Sequence, residues 1–215
     1  MELPIVYRLK RESQKNLTEL QDEVIEVIYE ILDDAVIHGG TAIWRCYGGK
    51  RFSEDIDIYA KYPEDFKIKL ERVLKRRGLK LIKFRQTANT LFSEISNDTT
   101  SMKLEITRKK VRGTLSVYQK ANGNTLDVLT LKPEELILEK LAAYNSRKRI
   151  RDIYDVYFLS RLVSEMKIKK IVNESLQKIE KPTDEADLKA IVYEGEVPTF
   201  KGIIEGLSVW AKQST

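Results

Sequence analysis

Apolar residues recur at Leu17, Leu20, Val24, Val27, Ile28, Ile31 and Leu32, with acidic residues between them. That is the period of a helix with one buried stripe, and it predicts a helix over Ser13–Leu32. Asp33-Asp34 breaks the pattern. Ala35-Val36-Ile37-His38 is short and apolar and reads as a buried strand ended by a turn at Gly39-Gly40. Thr41–Tyr47 reads as a short helix, Gly48-Gly49-Lys50 as a loop and Asp55–Ala60 as a second strand. Pro63 opens a helix to Arg77, with Gly78 as its stop signal. Leu79–Arg85, Leu91–Ser96 and Met102–Thr107 read as strands, the last two joined by the turn residues Asn97-Asp98-Thr99-Thr100. Leu115–Gln119 and Thr125–Leu131 flank Asn122-Gly123-Asn124, a hairpin signal. After Lys132-Pro133 the strand pattern stops. Helices are predicted over Glu134–Asn145, Asp152–Val163, 167–180, 184–193 and 198–212. Residues 1–12 read as an extended arm. The chain is therefore of the α+β class, with a mixed part over 1–131 and a helical part over 132–215.

Composition adds bounds rather than a function. At 215 residues the chain suits one large domain or two small ones and can bury a proper core. The net charge of +5 makes an anionic partner plausible without identifying it. Basic residues outnumber acidic ones from Lys61 to Arg85. Further clusters lie at Lys103, Arg108, Lys109, Lys110 and Arg112, and at Arg147, Lys148, Arg149 and Arg151. Such patches suit a phosphate backbone, and they equally suit a solvated face. The single cysteine, Cys46, excludes an internal disulfide and points to the reducing cytoplasm, with the side chain in the core. The first residues lack the pattern of a secretory leader, and no apolar run reaches the ~20 residues a membrane span needs.

Candidate chemistry is concentrated in one stretch. Asp55 and Asp57 are two positions apart on a predicted strand, so both carboxylates face one side, roughly 7 Å apart along the backbone. Carboxylates that close repel unless a cation lies between them, and hard oxygen ligands select Mg²⁺ or Mn²⁺. Gly39 and Gly40 precede a short helix, where backbone N–H groups can approach a triphosphate and Thr41 can add a hydroxyl. Arg51 and Ser53 either contact phosphate or brace the loop. Glu105 alternates away from Met102, Leu104 and Ile106, and is either a third metal carboxylate or part of a solvated strand face. Gly48-Gly49-Lys50 is no phosphate loop, because the earlier glycine is missing and Arg51 stands where Ser or Thr is required.

Gly-Gly, then Asp-x-Asp among apolar residues, then a later strand acid, resembles the polymerase-β type nucleotidyltransferase superfamily. Gly39-Gly40-Thr41-Ala42-Ile43, Arg51-x-Ser53-x-Asp55-Ile56-Asp57, the run Pro133–Leu141 and Arg151-Asp152-Ile153-Tyr154-Asp155 more narrowly resemble the AbiEii/AbiGii toxin family. The resemblance spans residues 36–160. It implies a polymerase-β-like mixed sheet with flanking helices. It implies transfer of NMP from an NTP to an acceptor hydroxyl, with the 3′ end of a tRNA as acceptor, and a cognate antitoxin. It also implies Lys140 near the nucleotide phosphates and Asp155 as a residue needed for activity. The bottom-up alternative for that pair is a structural salt bridge between two helices. Many relatives carry lysine where His38, the only histidine, precedes the glycines. Its plain reading is a packing residue at a strand end. Two rival functions stay open: nucleotidylation of a protein or small molecule, and a non-catalytic module that binds RNA or protein.

Overall fold

The computed structural model describes residues 3–213. It divides into two compact units: the chain up to Gly48 with Phe52–Leu131, and Gly49–Arg51 with the chain from Lys132 onward.

The first unit begins with α1 (Ile5–Arg8) and α2 (Glu12–Ile31). It continues with β1 (Val36–His38), α3 (Gly39–Tyr47), β2 (Ile56–Ala60) and α4 (Phe66–Arg76). It ends with β3 (Lys80–Gln86), β4 (Thr90–Ser96), β5 (Ser101–Arg108), β6 (Thr114–Gln119) and β7 (Thr125–Thr130). The strands form one sheet in the order β3-β4-β5-β2-β1-β7-β6. β2 runs parallel to β5, β1 runs parallel to β7, and the remaining neighbours are antiparallel, so the sheet is mixed. One face is apolar: Ile56, Ile58, Leu91, Ile95, Met102, Leu104 and Ile106 are all buried. α2 touches β5 and α4 touches β3. The helix signals act as expected locally. Gly78 adopts φ +72° directly after α4, a left-handed stop that glycine takes without strain. Asn97 Oδ1 accepts from the backbone N–H groups of Thr99 and Thr100 and shapes the β4–β5 turn.

The second unit holds α5 (Pro133–Arg147), α6 (Ile150–Ser160), α7 (Met166–Leu176), α8 (Leu188–Ile191) and α9 (Phe200–Lys212). α5 starts with Pro133 at its first position, and the Glu135 carboxylate accepts from the Lys132 N–H at 2.9 Å. Thr199 caps α9 by accepting from Gly202 N–H at 3.1 Å. The short Gly49–Arg51 segment is tied into this unit: Arg51 bridges Val192, and Tyr193 N–H donates to the Lys50 carbonyl at 3.1 Å. Among the described residues no helix is long and apolar enough to cross a membrane.

Several expectations need correcting. The arm predicted over 1–12 contains a helical turn at Ile5–Arg8, because Ile5 and Leu9 are buried and Val6 N–H donates to the Ala121 carbonyl; residues 1 and 2 lie outside the described residues. Gly39 and Gly40 do not form a turn ahead of the helix but are its first residues. Asp55 precedes β2 rather than opening it. α4 starts at Phe66, since Pro63 supplies only the turn whose carbonyl accepts from Phe66 N–H. The helix predicted over 184–193 is a single 3-10 turn, Glu185–Asp187, followed by α8.

One of the acidic residues that lie between the apolar positions of α2, Asp22, is buried. It accepts from Arg45 Nη2, from Tyr118 Oη at 3.2 Å and from the Ala121 N–H at 2.6 Å. Arg45 is fully buried, its guanidinium 4.9 Å from the Trp44 ring and 4.7 Å from that of Tyr118. α3, the helix that opens with Gly39, is thereby anchored to α2 and β6 through one buried ion pair. Removing one partner of such a pair leaves the other charge uncompensated, at a cost of about 3–5 kcal/mol. Asp22→Asn should therefore lower the urea-unfolding free energy by about that amount, and a loss of less than about 1 kcal/mol would show that the anchor contributes little.

Candidate active site

β2 alternates strictly, with Ile56, Ile58 and Ala60 buried and Asp57 and Tyr59 half-buried on the opposite face. Register then decides what stands beside Asp57. Glu105 of β5 is its direct partner, and His38 of β1 is its partner on the other side. Phe92 pairs with Glu105, and Arg85 pairs with Phe92. Directly paired residues share a face, so Arg85, Phe92, Glu105, Asp57 and His38 form one row across five strands, each step about 4.8 Å. An open cavity of about 460 Å³ lies over much of that row, lined by Asp55, Asp57, Glu105, Lys83, Arg85, Phe92 and Lys103, among others.

The loop carrying Asp55 is held from two sides. Gln21 Nε2, fully buried on α2, donates to the carbonyls of Ser53 at 2.8 Å and Glu54 at 3.2 Å. Thr41 Oγ1 donates to the Asp55 carbonyl at 2.6 Å. Thr41 is fully buried, which corrects the expectation that its hydroxyl meets a phosphate: it positions Asp55 instead. Gly39 adopts φ +69°, and a Cβ placed on it would come within 2.4 Å of Asp57 Oδ2. Only glycine lets the start of α3 approach the Asp57 carboxylate this closely. His38 stacks on Tyr59, ring centroids 3.7 Å apart and nearly parallel. Cys46 is half-buried, and burial pushes its thiol up to about 12, which disfavours the thiolate.

The carboxylates act on one another. Burial first, and then the charges of Asp57 and Asp55, raise the Glu105 carboxyl above its ordinary value, with His38 and a hydrogen bond to Thr107 working the other way. Among the described residues no three His, Cys, Asp or Glu side chains are already gathered as a metal cluster. The donor chemistry nonetheless fits a hard divalent cation: three carboxylates line one cavity, two of them in direct register and in mutual repulsion.

Lys140, Asp155 and Arg51 come together in the helical unit. Asp155 is buried and accepts from Arg51 Nε at 2.6 Å and Nη2 at 2.5 Å, while Lys140 Nζ stands 3.2 Å away. Lys140 also lies 3.6 Å from Asp152, which Arg147 binds through two hydrogen bonds of 2.7 Å. Burial works against the Arg51 charge, but Asp155 outweighs it and holds the guanidinium above its ordinary value. Burial likewise works against the Asp152 charge, and Arg147 and Lys140 outweigh it in turn. The sequence linked Lys140 to Asp155 and left Arg51 either contacting phosphate or bracing its loop. The structure commits the Arg51 guanidinium to Asp155, as a brace of its own unit. Gln21 was missed, although it falls on the buried period of α2 between Leu17 and Val24. That placement was the available signal.

Because its carboxyl is raised, ionising Glu105 costs the fold stability. The cost is absent below the ordinary glutamate range and fully present once the pH exceeds the raised value. In metal-free solution at pH 7, Glu105→Gln should therefore raise the melting temperature. A lower melting temperature there would mean that Glu105 is held by favourable contacts and not by repulsion.

Fold likeness agrees with this geometry. JHP933 from Helicobacter pylori is similar with a TM-score of 0.69 at 18% identity, covering 95% of this chain and 92% of its own. MenT4, a nucleotidyltransferase toxin from Mycobacterium tuberculosis, gives 0.65 at 16% identity, covering 94% and 85%. ANT(2'')-Ia in complex with adenylyl-2''-tobramycin gives 0.51 at 15% identity, covering 75% and 97%. No curated protein sequence matches the chain. The family model for the nucleotidyl transferase AbiEii toxin of type IV toxin–antitoxin systems matches residues 29–199. With most of its length inside that match, the chain belongs to the AbiEii family of nucleotidyltransferase toxins.

Proposed function

We propose that this nucleotidyltransferase is metal-dependent and moves NMP from an NTP to a hydroxyl at the 3′ end of a tRNA, in the cytoplasm, where a cognate antitoxin counters it. The observation that carries the reading is the register of Asp57 with Glu105, with Asp55 beside them in the same cavity.

In this reading Asp55, Asp57 and Glu105 hold Mg²⁺ or Mn²⁺. When bound, the ion neutralises charge on the triphosphate and on the reacting oxygens. Gly39 and Gly40 offer backbone N–H groups at the start of α3, where the helix dipole favours a phosphate. Ser53, whose carbonyl Gln21 holds, would add its hydroxyl to the same phosphate site. The acceptor oxygen forms its bond to the α-phosphorus as the bond to pyrophosphate breaks. The protein contributes position and preorganised charge rather than covalent chemistry. Lys140 and Asp155 serve activity by fixing their unit: Asp155 pairs with both Arg51 and Lys140, and losing it would remove the carboxylate that Arg51 binds through two hydrogen bonds and leave Lys140 only its longer contact to Asp152.

A small-molecule acceptor is the second reading, favoured by the adenylyl-2''-tobramycin held by ANT(2'')-Ia. Incubation with each labelled NTP, Mg²⁺ and either total RNA, total protein or small acceptors separates the cases. The expected result is label at the tRNA 3′ end, abolished by chelation and reduced at least about a hundredfold by Asp57→Ala. Label in protein or in a small acceptor would replace the tRNA reading. An Asp57→Ala variant as active as wild type would remove the metal site.

A further inference from the structure

Asp55, Asp57 and Glu105 lie toward one end of their cavity. The rest of its wall carries Lys83, Arg85, Lys103 and Phe92 around one further carboxylate, Glu94, which Lys83 binds. Phe92 is 42% exposed on β4, directly paired with Glu105 on one side and Arg85 on the other. Lys83 pairs with Glu94, and Glu94 with Lys103, in the next row on the same face. Lys83 is bound to Glu94 at 2.8 Å, whereas Arg85 and Lys103 are exposed. An exposed aromatic side chain is unremarkable alone. Here it forms part of a cavity wall, flanked by cations, one strand from Glu105 and two strands, about 10 Å, from Asp57.

We propose that Phe92 and Arg85, with Lys103, form the acceptor platform, and that its ligand is the single-stranded 3′ end of an RNA. The terminal base stacks on the Phe92 ring, which leaves its ribose pointing along the row toward Glu105 and Asp57. Arg85 and Lys103 take the phosphates that follow. Aromatic stacking beside a basic track is how proteins hold single strands without reading sequence, because every base has a π-face. A protein acceptor would need no stacking surface, and a duplex would offer no free base. The site therefore selects a frayed or unpaired end. This rests on the nucleotidyltransferase reading of the carboxylates and adds where the acceptor lies.

Fluorescence anisotropy with a labelled RNA oligonucleotide carrying a free single-stranded 3′ end tests it on the full chain, without NTP. Wild type should bind this probe more tightly than a blunt duplex of equal length. Phe92→Ala should weaken binding about tenfold or more, and Phe92→Trp should keep it near wild type. Arg85→Ala should weaken binding and lower the slope of log affinity against log salt by about one. Phe92 is exposed, so its replacement should leave the unfolding transition in place, and Phe92→Trp separates loss of the ring from loss of fold. Absence of binding by wild type, equal binding of the duplex, or a Phe92→Ala effect below about threefold would overturn the platform. If binding depends on Phe92 while wild type transfers no label to RNA, the residues stand as an RNA-binding surface, and both their acceptor role and the RNA-acceptor reading fall. If RNA is labelled and Phe92→Ala binds as wild type does, only the platform falls.

Discussion

Asp57 and Glu105 stand opposite each other on neighbouring parallel strands, and the sheet offers neither an escape. Sliding β2 by one residue would turn Asp57 into the core and expose Ile56 and Ile58. The apolar face thus fixes the register, and the register forces two carboxylates together. Burial first, and then the charge of Asp57, raise the Glu105 carboxyl above its ordinary value. The same contact demands a glycine at position 39, because any Cβ there would collide with Asp57 Oδ2. Gln21 and Thr41 then hold the backbone of the Asp55 loop by its carbonyls, and Asp55 lines the cavity. The fold thus tolerates two carboxylates in direct register, a pairing that a cation between them would relieve.

The helical unit solves a similar problem without a cation from outside. Asp155 and Asp152 are buried, and each is matched by basic side chains, Arg51 and Lys140 for one and Arg147 and Lys140 for the other. Such a network adds little net stability over an apolar core, yet breaking one member is costly. It therefore fixes geometry more than it adds stability. The segment Gly49–Arg51 lies within this unit although the chain on both sides of it lies in the other. The Arg-x-Ser-x-Asp-x-Asp motif is thus split: its arginine braces the helices, and its serine and aspartates serve the sheet.

Much of this was legible in the sequence because it follows from short-range pattern. The 3.6 period of α2, the alternation along β2 and β5, the Asn-Gly hairpin and the glycine after α4 each carry their own signal. Asp57 and Glu105 stand out in the same way, as polar positions alternating with buried ones in apolar strands, whereas Asp55 lies in the loop before β2. What stayed hidden depends on long-range partners. Nothing in the spacing of α2 sets Asp22 apart from its other acids; its burial depends on Arg45 and Tyr118, far along the chain. Thr41 beside two glycines suggested a phosphate contact, and only its burial against the Asp55 carbonyl assigns it elsewhere. Phe92 could not be told from a core strand residue without knowing which of its neighbours line the cavity.

The central claim is that the Asp57–Glu105 juxtaposition is a cation site held ready by the sheet. Carboxyl carbon NMR of Glu105, titrated with pH in the absence and presence of Mg²⁺, tests it most directly. Without metal, Glu105 should titrate above the ordinary glutamate range. With saturating Mg²⁺ its midpoint should fall to that range or below, and Asp57→Asn should abolish the metal-dependent shift. A Glu105 midpoint that does not move when Mg²⁺ is added would contradict the account.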